Sequence, residues 1–202
     1  DTYIFANIQQ ISANMNELED LISSIKQQPY IFPQEIKKLE FLKFNGNIVG
    51  FLSDIVSFGT LNTAAGKIHT DLKTNYNTKS KGWKFNGQIG TEDINLGKIL
   101  NKYSDFNDIH LDVTFNGEKK DKQPLSGHVH GVISSFDYKQ YEFANIIIDS
   151  NFNKENISAE IDYKDPNNGS FNFVANVDIN EEKLYDITLN GKIDTISLAS
   201  MK

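Results

Sequence analysis

From Leu39 onward, apolar side chains fall at every second position almost to the end of the chain, which is the period of a β-strand with one buried face. Trp83, Phe85, Gly87 and Ile89 alternate with Lys84, Asn86 and Gln88, and Ile109, Leu111, Val113 and Phe115 alternate with His110, Asp112, Thr114 and Asn116. The series Phe171, Phe173, Ala175, Val177, Ile179 and the series Tyr185, Ile187, Leu189, Gly191, Ile193 repeat the pattern. Weaker alternation predicts further strands over 39–51, 55–63, 67–76, 127–136, 143–152 and 157–163. The first forty residues read differently. Met15, Leu18, Leu21, Ile22 and Ile25 recur at helical spacing behind Asn14, with Glu17 three places on as in a capping box. This predicts a helix over 14–28, ended by Pro29, preceded by a strand over 3–11 and followed by a connection that Pro33 keeps extended. Its apolar stripe would plug one end of a core. A second, shorter helical stretch at 95–100 reads as a corner or flap between strands.

Short connections with turn-forming residues, such as 77–82 and 165–169, join the strands and predict an antiparallel meander. A weak phrase recurs within it: Phe44-Asn45-Gly46, Phe85-Asn86-Gly87, Phe115-Asn116-Gly117 and Leu189-Asn190-Gly191. Each glycine takes an apolar-face position, where a missing side chain permits a bulge, a sharper coil, or close approach of another group to the backbone. About ten strands with a common apolar face cannot leave it in water, and one helix is too small to cover it. The sheet must therefore close on itself as a sandwich or barrel, or form an open trough lined with aliphatic and aromatic side chains. Periodicity does not choose among these. The fold class is all-β with one N-terminal amphipathic helix, organised as a strand-and-helix segment over 1–38 and an antiparallel β region over 39–202.

Composition narrows the function. The 202 residues carry a formal charge of −7, and all 20 basic residues are lysine, so no guanidinium is present to fork onto phosphate or a guanine edge. Nucleic acid is not an expected partner. The absence of cysteine removes disulfides, thiolate catalysis and cysteine-ligated metals. No apolar run approaches the roughly 20 residues of a membrane span. The chain opens at Asp1, which reads as a mature or excised piece of a longer protein.

Candidate chemistry is sparse. His128 and His130 share a strand face and could be two metal ligands, but no third is identifiable; His69 and His110 fall on polar faces. Glu17, Glu19 and Asp20 suit the first turn of a helix, and no carboxylate pair announces acid–base work. Gly66-Lys67-Ile68, Gly97-Lys98-Ile99 and Gly191-Lys192-Ile193 lack the hydroxyl of a phosphate-binding loop. The sequons at Asn156 and Asn168 mark no chemistry by themselves. Neither an enzymatic activity nor a cofactor is expected.

Two runs of phrases are less generic. Residues 39–51, ending Gly46-Asn47-Ile48-Val49-Gly50-Phe51, followed by Gly59-Thr60-Leu61-Asn62-Thr63-Ala64-Ala65-Gly66-Lys67-Ile68, resemble the corresponding run of TamB/AsmA-like proteins of the Bacteroidetes type. So do Phe136-Asp137-Tyr138-Lys139-Gln140-Tyr141-Glu142-Phe143-Ala144-Asn145-Ile146, the later Asp165-Pro166-Asn167 with the strand at 171–179, and the preceding helix with Gln28-Pro29 and Pro33. The resemblance implies a segment of a periplasmic protein, anchored in the inner membrane, that extends as a curled, U-shaped antiparallel sheet and passes phospholipid along a greasy groove toward the outer membrane. It also implies flanking repeats of the same parent and an Omp85-type outer-membrane partner. On this reading the groove is lined by Phe44, Ile48, Trp83, Phe85, Ile89, Ile109, Leu111, Val113, Phe115, Ile146, Ile148, Phe171, Phe173, Val177, Ile187 and Leu189. The alternatives are a closed-core structural or adhesive β module without ligand, and a carrier for one hydrophobic molecule.

Overall fold

The computed structural model describes residues 2–121, 123–139, 141–153, 155–165, 169–179 and 185–196. Strand β1 (Tyr3–Asn14) runs directly into helix α1 (Met15–Lys26), and a single-turn helix α2 (Gln34–Lys37) precedes β2 (Phe41–Phe51). Hairpins follow through β3 (Asp54–Thr63), β4 (Gly66–Asn77) and β5 (Gly82–Glu92). The two-residue β6 (Ile94–Asn95) and helix α3 (Leu96–Leu100) lead to β7 (Phe106–Lys120). The meander then continues as β8 (Leu125–Tyr138), β9 (Tyr141–Phe152), β10 (Asn156–Asp165), β11 (Gly169–Ile179) and β12 (Tyr185–Ile196).

All twelve strands belong to one antiparallel sheet in chain order, with β6 attached beside β7 off the main path. β1 and β12 are its two edges and do not pair, so the sheet is not a closed barrel. Contacts between strands are overwhelmingly those of ladder neighbours, and no second β layer lies on either face among the described residues. The fold is thus the all-β sheet with an N-terminal helix that the alternation predicts. Apart from the unpredicted β6, strands β2 to β12 coincide closely with the predicted runs, and β1 pairs with β2 from Tyr3↔Phe51 to Asn14↔Phe41, so the N-terminal strand is part of the same sheet. Of the turn residues expected at 165–169, Pro166, Asn167 and Asn168 lie outside the described residues, as does Gln140.

Local sequence explains the one long helix. Asn14 Oδ1 accepts from Glu17 N–H at 3.0 Å and Glu17 Oε2 accepts from Asn14 N–H at 2.8 Å, a reciprocal cap that satisfies two orphan donors. The helix stops at Gln27, which turns left-handed at φ 52 before Pro29 can enter. The stripe does not plug a core, however. Met15 is 4% exposed, but Leu21 and Ile25 are 55% and 74% exposed, because α1 lies along the margin of the sheet and not over its face. The connection after Pro33 is not extended either. Pro33, with φ −52, is the N-cap of α2, where its missing N–H costs no bond.

The strand ends define two long margins. One carries α1, α2, the β3–β4 turn, β6 and α3, tied together by backbone bonds from Met15 N–H to Glu40 O, Ala64 N–H to Leu39 O and Asn95 N–H to Ala65 O. Lys98 Nζ reaches Ala64 O at 3.0 Å and the Glu40 carboxylate at 2.7 Å across the same seam. The opposite margin consists of the β2–β3, β4–β5, β7–β8 and β9–β10 hairpin turns.

Candidate functional site

Register decides which side chains share a face, since partners in an antiparallel ladder point the same way. Starting from Phe44, the rows run Phe44↔Leu61↔Ile68 and Ile48↔Ser57↔Leu72, then Gly87↔Phe115↔Val129 and Ile89↔Val113↔Gly131↔Ile148. They continue through Ile161↔Phe173↔Gly191 and Val177↔Ile187 to Ala175↔Leu189. Trp83 and Phe85 on β5, Ile109 and Leu111 on β7, Ile146 on β9 and Phe171 on β11 fall in the same rows. All sixteen residues singled out from the sequence therefore lie on one face of the sheet. That face is only partly covered: Ile146 is 7% exposed, most of the others are half-buried, and Trp83, Ile187 and Leu189 remain 43%, 71% and 63% exposed.

On β5 and β7 the recurrent glycines serve close approach and not bulging, whereas Gly46 sits beside a register shift of β1 between Ile8 and Ile11. In the ladder between β5 and β7, Phe85 opposes Gly117, Asn86 opposes Asn116 and Gly87 opposes Phe115, so two copies of the phrase lock reciprocally. A Cβ on Gly117 would stand 2.5 Å from Phe85 Cζ, and one on Gly87 3.0 Å from Phe115 Cζ. Each ring thus lies over a strand that offers no side chain, which keeps the floor of this face low and smooth.

Alternation slips elsewhere. Neither Ser134 of β8 nor Asn145 of β9 takes part in the ladder, and Asn145 is left-handed at φ 58. Beyond them Phe136, Tyr138, Tyr141 and Phe143 rejoin the apolar face. With Phe106, Tyr163, Phe171 and Phe173 they form an unbroken run of ring contacts, from Phe106–Phe136 at 5.9 Å through Phe143–Tyr163 at 5.5 Å to Tyr163–Phe171 at 4.9 Å. A hollow of about 390 Å³ opens among Phe106, Phe136, Tyr138, Phe143, Ile146 and Phe171. Phe106 and Phe171 sit on β7 and β11, four strand spacings apart, or about 19 Å in a flat sheet. Sharing one hollow requires the sheet to curl. Tyr163 is 3% exposed, and that burial, with Tyr141 Oη 3.5 Å from its own hydroxyl, pushes its phenol well above the ordinary range and keeps it neutral. Of this set Phe171 and Phe173 are among the sixteen residues read from the sequence, and Phe106, Phe136, Tyr138, Tyr141, Phe143 and Tyr163 are not. The signal was present as Phe136 three residues after Ile133 and Ile146 three after Phe143, a one-residue break in parity.

The opposite face holds the histidines, each beside a carboxylate. His69 Nε2 lies 3.0 Å from Glu92, and His110 Nε2 lies 3.0 Å from Asp93. His128 Nε2 and His130 Nδ1 each lie 3.0 Å from a different oxygen of Asp149, with their rings stacked at 6.4 Å. The two imidazoles hold the Asp149 carboxyl below its usual range, and His69 with Lys67 does the same for Glu92. His128 and His130 thus share a face as expected, but around one carboxylate. Among the described residues no group of His, Cys, Asp and Glu is placed to hold a metal ion.

Comparison of the chain with family models, with curated proteins and with solved structures gives no match. The site must be read from its geometry. No helix among the described residues is long and apolar enough to cross a membrane. What the apolar face offers among the described residues is a broad area of aliphatic and aromatic side chains open to contact.

Proposed function

We propose that this chain is a segment of a lipid-transfer conduit of the TamB/AsmA-like kind, in which acyl chains lie along the apolar face of the curled sheet while headgroups stay in water at its mouth. One observation carries this reading: a continuous apolar face spans the sheet, and nothing in the described chain lies over it. Burying a methylene of an acyl chain there gains about 0.8 kcal/mol, so two tails of ordinary length supply ample affinity without a single polar contact. No residue has a catalytic role, and no element couples movement to nucleotide hydrolysis. The parent protein would lie in the periplasm, its inner-membrane anchor and Omp85-type partner contributed from outside this segment. The free edges of β1 and β12 would be continued by flanking repeats, since an unpaired edge strand seeks a partner.

Native mass spectrometry of the purified chain tests the proposal: co-purifying phospholipid of mixed acyl length supports it. A single stoichiometric ligand would point to a carrier, and an empty protein to a structural module. Phe115→Asp and Val113→Asp are expected to abolish lipid retention while leaving the circular dichroism of the sheet intact, because both side chains stand on the open face.

A further inference from the structure

Taking the conduit reading as its premise, we infer that the hairpin margin at β4–β5 and β7–β8 is the mouth where the headgroup rests, and that it selects lipids with an anionic, phosphate-bearing headgroup. The inference starts from one register row. Tyr76, Trp83, Lys119 and Leu125 stand side by side on the apolar face at this margin, in the order β4, β5, β7, β8. The Tyr76 and Trp83 rings touch at 5.0 Å, and Trp83 and Leu125 are 43% and 45% exposed. Amphipathic rings with an apolar body and a polar edge belong where hydrocarbon meets water, and a neighbouring lysine can lay its stem along the same surface.

Charge then distinguishes this margin from the other. Residues 77–84 carry three lysines and no carboxylate in a chain whose overall charge is −7, whereas residues 15–40 of the helical margin carry five carboxylates and three lysines. A protein of net negative charge repels anionic lipid, so any preference for it must be made locally. Lys79 and Lys81 have no carboxylate within ion-pair distance among the described residues, unlike Lys120, which is paired with Glu118 at 2.6 Å. The turn that bears them is held: Asn77 Oδ1 accepts from Lys79 N–H at 2.9 Å and Ser80 N–H at 3.1 Å, and Asp121 N–H donates to Lys81 O at 3.1 Å, joining the two hairpins. Lys119 Nζ donates to the backbone carbonyl of Gln123 and so braces the second turn. Two lysines with no carboxylate partner among the described residues thus stand on a fixed turn next in sequence to Trp83 of the aromatic pair, which suits a phosphate diester whose tails enter past Trp83.

The test offers the chain palmitoyl-oleoyl phosphatidylglycerol and phosphatidylcholine in equimolar mixed micelles at 50 mM salt, and reads the bound lipid by native mass spectrometry. Identical tails leave only the headgroup to discriminate. Each lysine near an anionic surface contributes about fivefold, so the wild type is expected to favour phosphatidylglycerol by at least tenfold. The K79Q/K81Q variant is expected to bring the ratio close to one, as is 1 M salt, where the screening length falls to about 3 Å. The control variant K73Q/K164Q removes the same charge from the opposite face and is expected to keep the preference. Equal uptake of the two lipids by the wild type, or loss of preference in both variants alike, would overturn the headgroup assignment while leaving the conduit standing. Retention of neither lipid would remove the conduit and this inference together. Retention of sn-glycerol 3-phosphate, which has the headgroup chemistry but no tails, would mean a soluble-phosphate site and would also overturn it.

Discussion

Along the helical margin Met15, Ala65 and Ile94 are 4%, 3% and 6% exposed, and Ile146 and Tyr163 on the same half of the sheet are 7% and 3% exposed. Across the strands, at the hairpin margin, Trp83, Leu125 and Leu52 leave 43%, 45% and 56% of their surface open. The same strands run between the two, so the difference does not come from their alternation. For Ile146 and Tyr163 it comes from the aromatic run around them, and for Met15, Ala65 and Ile94 from what connects the strands. On one side the chain spends its longer connections, folding α1, α2 and α3 back against the strand ends; on the other it turns around within a few residues and covers nothing. A one-layer sheet can in this way place its stability at one margin and leave the other free to meet a ligand, a division in keeping with the general finding that binding surfaces are drawn from the less stable parts of a fold.

Breaking the buried side should cost most. Ile146→Asp puts an unpaired charge into the most buried of the sixteen apolar-face positions, and a loss of several kcal/mol, or failure to fold, is expected in urea denaturation. Trp83→Ala, across the sheet, is expected to cost less, about 2 kcal/mol by the same measurement, since 43% of its surface stays in water and no charge is introduced. A comparable cost for the two would abolish the contrast. Gly117→Val sharpens it at the floor between the margins. A side chain there collides with the Phe85 ring at 2.5 Å, and overpacking of this kind costs about 1–3 kcal/mol, with a shifted Phe85 ring resonance as its signature. Asn14→Ala removes the reciprocal cap of α1 and is expected to cost about 1 kcal/mol, seen first as faster amide exchange in residues 15–18.

The smallest effect concerns pH. Because the histidine pair holds the Asp149 carboxyl below an ordinary aspartate value of about 3.9, its contribution to stability is complete above that value. It is lost only as the pH falls through the lower folded value. His128→Gln with His130→Gln should move the Asp149 carboxyl titration, followed by carbon-13 NMR, back up toward 3.9. No movement would mean that the imidazoles do not hold the carboxylate in solution.

Most of the architecture was legible because parity is a strong signal wherever one face is apolar throughout. The strand around Phe85, the strand around Val113 and the common face of the sixteen residues all follow from it. Parity also explains the main omission. At Ser134 and Asn145 a single residue drops out of the ladder, and a pattern read with strict period 2 assigns Phe136 and Phe143 to the wrong face, so the aromatic hollow vanished from view. The role of the glycines could be narrowed only with register in hand, since nothing local in Phe85-Asn86-Gly87 says that Phe115 will cross it. The carboxylate between His128 and His130 was hidden for the same reason, as it arrives from a strand nineteen residues further on than His130. The polar face held one more surprise. Tyr3, Phe5, Phe51 and Phe58 gather on it near β1 and are 58%, 69%, 44% and 44% exposed, so it is not uniformly hydrophilic.

The strand order itself has a consequence for capacity. Eleven strands follow one another along the main path with neither end capped by a turn of the sheet, so the apolar face is about 48 Å long at a spacing of about 4.8 Å. That is more than twice the stretch of one fatty tail, and every added hairpin would lengthen it by about 9.6 Å. On the conduit proposal such a surface would behave as a ruler with repeating divisions: its occupancy would scale with strand number, and several guests would queue along it at once without a dedicated berth.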